Sequence, residues 1–88
     1  MLTKEEFYAT YLSSGDERFP YMLLDRMRSD CTYCIANGFN YRHLWATNDP
    51  VAHITYMRYI MDFLPEKPEW LTAEQIDEFE QLMLEKVS

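Results

Sequence analysis

A chain of 88 residues has room for one domain and not for two, and 48% hydrophobic residues is ordinary for a globular protein and too many for a disordered one. Its net charge of −7 is unevenly laid, with −3 over residues 1–17, +2 over 18–45 and −6 over 46–88. So little concentrated base disfavours direct binding to nucleic acid, and no apolar run is long enough to span a membrane. Only two glycines stand against seven Tyr, five Phe and two Trp, which favours helices over a turn-rich sheet. Two cysteines are too few for a disulfide framework. The opening MLTKEEFYAT lacks the basic-then-apolar pattern of a signal peptide, so a cytoplasmic protein is expected.

In chain order, Thr3 followed by Glu6 is a capping-box pattern and predicts a helix to about Leu12, with Phe7, Tyr8, Tyr11 and Leu12 on its apolar side. SSGDE breaks it. A second helix is predicted to start between Arg18 and Tyr21, with Pro20 in its first turn. Leu24, Met27, Cys31, Cys34 and Ile35 recur at three- and four-residue steps, and Asn37-Gly38 provides the stop. One short helical turn is expected around Arg42 to Trp45. Asn48-Asp49-Pro50 then restarts the chain as cap and first helical residue. Val51, Ile54, Met57, Met61 and Leu64 form the next apolar face, with Ile60 beside it, and Pro65 ends the helix. The connector PEKPEW is stiffened by Pro65 and Pro68. Thr72 with Gln75 makes a second capping box, onto which Trp70 and Leu71 are expected to fold back as a staple. In the last helix Ile76, Phe79, Leu82 and Met83 are expected inside; Asp77, Glu78, Glu80 and Glu85 are expected in water. The fold expected is a compact all-α bundle of four main helices plus one short turn, a single domain over residues 1–88.

Several residue sets carry possible chemistry. Cys31 and Cys34 with His43 and His53 are the donor types of a Cys2His2 zinc site. Both cysteines fall mid-helix on the apolar face, where free cysteine packs as a small hydrophobe, so packing is the expectation and no metal or other cofactor is assigned. His43 and His53 have the chemistry of general bases. No nucleophile motif and no phosphate-cradling glycine loop accompanies them, so no catalytic residue is assigned and the chain is not expected to be an enzyme. Asp30 is expected to be partly buried against Arg26 or Arg42, fixing orientation more than adding stability. Arg26, Asp30, Cys31, Pro65, Pro68 and Thr72 are read as structural. The functional alternative joins Arg26, Arg28 and Arg42 with Tyr41 and Trp45 in a binding patch.

The acidic run from Glu66 to Glu85 is either a solvated helix face or, through Glu74, Asp77, Glu78 and Glu80, an imitation of nucleic-acid charge. The aromatics also exceed what one small core requires. Tyr41, Trp45, Tyr56, Tyr59 and Trp70, with Arg42, are therefore expected at a protein-binding or self-association surface.

LLDRMRSDCTYC, NG, HLWA and LPEKPEWLT together resemble the large polyvalent protein associated domains, of a type common in phages and conjugative elements of gut bacteria. The similarity spans roughly residues 21–80. It rests on Arg26, Asp30 and Cys31 in one helix, on Leu44 and Trp45 after the glycine loop, and on Pro65 to Thr72. That pattern carries an aromatic at the position of Cys34, so the resemblance lends nothing to a paired-cysteine role. It implies mobile-element origin and an accessory role, and brings no catalytic residues. The function expected is thus a non-catalytic module that binds a protein partner, itself included. The alternative is a small acidic inhibitor of a host defence nuclease, of the anti-restriction or anti-CRISPR kind; a small zinc-binding protein is the third.

Overall fold

Each helix of the computed structural model, which describes residues 1–84, starts where a local signal sets it. Helix α1 (Lys4–Tyr11) is opened by a complete capping box: the Glu6 N–H donates to Thr3 Oγ1 at 3.2 Å, and the Thr3 N–H donates to Glu6 Oε1 at 2.9 Å. Helix α2 (Phe19–Ala36) begins with Pro20 in its first turn. It ends at Gly38, whose φ of +75° lets the Phe39 N–H return to the Cys34 carbonyl at 2.8 Å. Asp49 caps helix α3 (Pro50–Phe63) by accepting from the Ala52 N–H at 3.0 Å. Thr72 and Gln75 exchange the same reciprocal bonds, at 2.8 and 3.1 Å, ahead of helix α4 (Ala73–Leu84). The protein is all-α: these four helices, a 3-10 turn at Tyr41–His43, and no strand among the described residues.

Helix α3 lies at the centre, in contact with α1, α2 and α4, while α2 also meets α4 and the 3-10 turn. That position explains one departure from the expected faces. A helix with neighbours on three sides buries more than one stripe, and α3 buries Ala52, His53 and Tyr56 as well as Ile54, Met57, Ile60 and Met61. Val51, expected inside, is 47% exposed in the first turn of α3. Leu82 of α4 is likewise 48% exposed, whereas Ile76 and Met83 are buried. The short turn also comes a residue early, at Tyr41–His43, and Asn40 caps it by accepting from the Arg42 N–H at 3.0 Å. Glu85 lies outside the described residues.

The connector between α3 and α4 does more than stiffen a bend. The Lys67 ammonium folds back to donate to the Met61 carbonyl and, at 3.1 Å, to that of Leu64, two oxygens at the end of α3 that the helix itself leaves free. Leu71 is buried ahead of the Thr72 cap, as is Ile76 in the first turn beyond it. No helix among the described residues is long and apolar enough to cross a membrane.

Candidate functional site: the groove between α2 and the 3-10 turn

Asp30 organises the site. It sits on the last turns of α2 and is nearly buried, so its charge needs partners. Oδ1 accepts from Arg26 Nε at 3.2 Å, and Oδ2 accepts from the backbone N–H of Trp45 at 2.9 Å. One carboxylate thereby ties the loop after the 3-10 turn to the side of α2. A second link lies farther out, where the His43 ring meets Tyr33 edge to face at 5.2 Å. Between the two links runs an open groove of about 560 Å³, lined by Arg26, Asp30, Tyr33, Arg42, His43 and Trp45 among others.

Three residues of the patch expected from sequence, Arg26, Arg42 and Trp45, line this groove. The other two turn elsewhere. Arg28 pairs with Asp25 at 2.6 Å and lies 5.3 Å from the centre of the Trp70 ring. Tyr41 donates from its hydroxyl to the Met83 carbonyl at 2.8 Å, tying the 3-10 turn to α4. His43 and Tyr33 complete the lining; their pairing across ten positions left no local signal in the sequence.

Of the aromatics expected at the surface, Tyr56 is buried, Tyr41, Trp45 and Tyr59 are half-buried, and Trp70 is exposed. Tyr56 is 8% exposed and stacks on Phe7 at 4.7 Å. Trp45 meets Tyr11 at 4.9 Å, and Tyr59 meets Phe7 at 5.8 Å. These rings form a cluster that seats α1 on α3. The short helix α1 has one fully buried side chain, Phe7, and aromatic rings supply the area that holds it. The hydroxyls are occupied too: Tyr56 accepts from the Leu2 N–H at 2.9 Å, and Tyr59 donates to the Leu2 carbonyl at 3.3 Å. Trp70 remains in solvent, 39% exposed.

The acidic face on α4 is also partly engaged. Arg58 of α3 forms two bonds to Glu80, at 2.8 and 3.1 Å, and one to Asp77 at 2.7 Å. These bonds hold the Glu80 carboxyl below its usual range and raise the Arg58 guanidinium. Of the four acids singled out on this helix, Glu74 and Glu78 alone stand outside the clamp among the described residues.

The four potential zinc donors are not brought together. No group of three or more His, Cys, Asp or Glu residues is placed to hold a metal ion among the described residues. Cys31 and Cys34 are buried, and Cys31 Sγ approaches Met57 Sδ at 3.7 Å. Burial pushes the Cys31 thiol up to about 12 and that of Cys34 upward as well. His53 is fully buried, with Nε2 3.0 Å from the Met27 carbonyl, a contact that fits a neutral ring with its proton on Nε2. Burial lowers its pKa, against smaller raising effects of the Met27 bond and Asp30. His43 stands apart in the groove.

The family model for large polyvalent protein-associated domain 11 matches residues 17–83, and the chain belongs to that family. No curated protein and no solved structure matches the chain. The matched span begins after α1 and includes the Asp30 clamp, the groove and the connector.

Proposed function

We propose that this member of the family is a non-catalytic interaction domain, an accessory part of the protein repertoire of a phage or conjugative element, that binds a protein partner in the cytoplasm through the α2 groove. The observation that carries this reading is the unpaired guanidinium of Arg42, held beside Trp45 and Tyr33 in an open groove. Arginine beside aromatic side chains is the composition that dominates protein-binding surfaces. The family description, a domain associated with large polyvalent proteins, supports a role beside other modules.

A photo-crosslinking residue placed at Tyr33, in cells that carry the element, tests the reading. Tyr33 is half exposed and lies on the groove wall. Adducts with a discrete partner, or with a second copy of the chain, are expected from this position and are expected to vanish with Arg42→Glu. Adducts that form only from a crosslinker at Glu78 would overturn it in favour of the acidic face of α4.

A further inference from the structure

Arg42 is anomalous in a molecule of this charge. The chain has nearly twice as many acids as bases, fifteen against eight. Lys4 pairs with Asp62, Arg28 with Asp25, and Arg58 with Asp77 and Glu80. Lys67 caps α3. Arg18 and Arg42 are the described Lys or Arg residues whose side chains have no acceptor, and Arg42 is the one inside a groove. Arg26, in the same groove, meets Asp30 through Nε alone, so both of its Nη groups are without acceptors among the described residues. Asp30 does not serve Arg42: its carboxylate accepts from Arg26 Nε and from the Trp45 N–H. Two guanidinium groups against one carboxylate give the groove a formal charge of +1, histidine left out of the count, on a chain that carries −7.

We infer that this groove binds a carboxylate of an acidic peptide segment, gripped between the free Nη groups of Arg26 and the guanidinium of Arg42, with an apolar neighbour lying against Tyr33 and Trp45. A guanidinium presents paired N–H donors that match the two oxygens of a carboxylate, and the match is strongest where both oxygens are engaged. The half-exposed Tyr33 ring and the Trp45 indole supply apolar wall beside that charge. A nucleic-acid backbone fits less well, because a polyanion needs cations in a row and would meet the acidic remainder of this surface. The carboxylate can come from an Asp or Glu side chain or from the end of a partner chain; both present the same two oxygens.

This inference rests on the groove being the interaction face, and the two fail separately. Crosslinks from Tyr33 that survive Arg42→Gln would keep the interaction domain and remove the carboxylate site. The direct test is a titration of the full chain, followed through the Arg Nε–H and Trp indole signals in NMR. The probes are a Leu-Glu-Trp-Glu peptide with acetylated and amidated ends, the same peptide with a free C-terminus, its Gln-for-Glu amidated counterpart, and an eight-residue oligothymidylate. Binding of the amidated acidic peptide, with shifts at Arg26, Arg42 and Trp45, is expected for a side-chain carboxylate. Binding of the free-ended peptide alone assigns the site to a chain terminus. Either result should weaken roughly tenfold in Arg42→Gln, and partly in Arg42→Lys, which keeps the charge and loses the fork. Arg42 is exposed and unpaired, so both variants are expected to melt as the parent does. Equal binding of the Gln peptide, tighter binding of the oligonucleotide, or no groove shifts with any acidic peptide overturns the proposal.

Discussion

His53 shows how one buried side chain sets a pH response. Burial holds its pKa below the usual 6.5, with Arg26 acting in the same sense and the Met27 bond and Asp30 in the opposite sense. A depressed histidine takes up its proton in the unfolded chain first, so stability is present above about pH 6.5 and falls as pH drops through the window beneath it. The slope reaches at most about 1.4 kcal/mol per pH unit for one group. Urea melts of the parent between pH 7 and 5 should show it, and His53→Gln should flatten it while retaining a donor for Met27. A parent whose stability is level over that window would refute the burial argument. Glu6 and Glu80, held below their usual range by Thr3 and Arg58 respectively, act only below about pH 4.5 and do not confuse the reading. The two cysteines give a second residue-scale test. With Cys31 at about 12 and Cys34 raised, neither thiol should react with a thiol reagent at pH 8 until the chain is unfolded, when both should. Fast native reaction at either position would place that thiol in solvent.

At the scale of elements, the Asp30 clamp is the contact whose loss should be felt most. Replacing Asp30 with Ala leaves the Trp45 N–H without its acceptor and frees the loop from α2, at a cost of about 1–3 kcal/mol in a urea melt. Asp30→Asn keeps one acceptor and should cost less. Thr72→Ala, which removes an exposed cap alone, should cost about 1 kcal/mol. If Asp30→Ala costs no more than Thr72→Ala, the clamp is not what holds the groove wall. The contrast also explains what the sequence could reveal. Capping boxes at Thr3 and Thr72, the Asp49-Pro50 start and the Gly38 stop join residues three to five apart, so their chemistry is visible in a short window. The Asp30–Trp45 bond spans fifteen positions, and sequence offered Arg26 and Arg42 as equal partners without the backbone donor. Phe39, Thr47 and Asn48 take left-handed φ values of 64°, 53° and 67°. Phe39 packs against the core there, and the Thr47 N–H turns back to the Leu44 carbonyl at 3.0 Å, although threonine has no local preference for that region.

For the molecule as a whole, the demand for aromatic surface exceeds what a single core suggests, because α1 needs a seat as well. Helix α1, only two turns long, draws on rings of α3 and of the loop at Trp45, and so takes up aromatics beyond those one core needs. With that seat filled, the chain is compact, with a radius of gyration of 12.6 Å against about 12 Å expected for its length. Compactness concentrates a charge of −7 within 36 × 27 × 17 Å. At about 0.01 M salt the screening length, roughly 30 Å, exceeds most of these dimensions, so every acid acts on every other. At physiological salt it is about 8 Å, and repulsion survives only between neighbours. Added salt should therefore raise the melting temperature, because net repulsion is long-range and the ion pairs are short-range and exposed. Arg58 is where the two effects meet. It stands between Asp77 and Glu80 and joins α3 to α4. Arg58→Met should cost about 0.5–1 kcal/mol, the ordinary yield of a surface network. It should also steepen the salt response, since two acids then face each other with no cation between them. Melting curves of both proteins from 0.01 to 0.5 M NaCl decide it. A parent that loses stability as salt is added would mean that its pairs outweigh its net charge, and the account of α4 as a helix neutralised at Asp77 and Glu80 but repelled elsewhere would have to be given up.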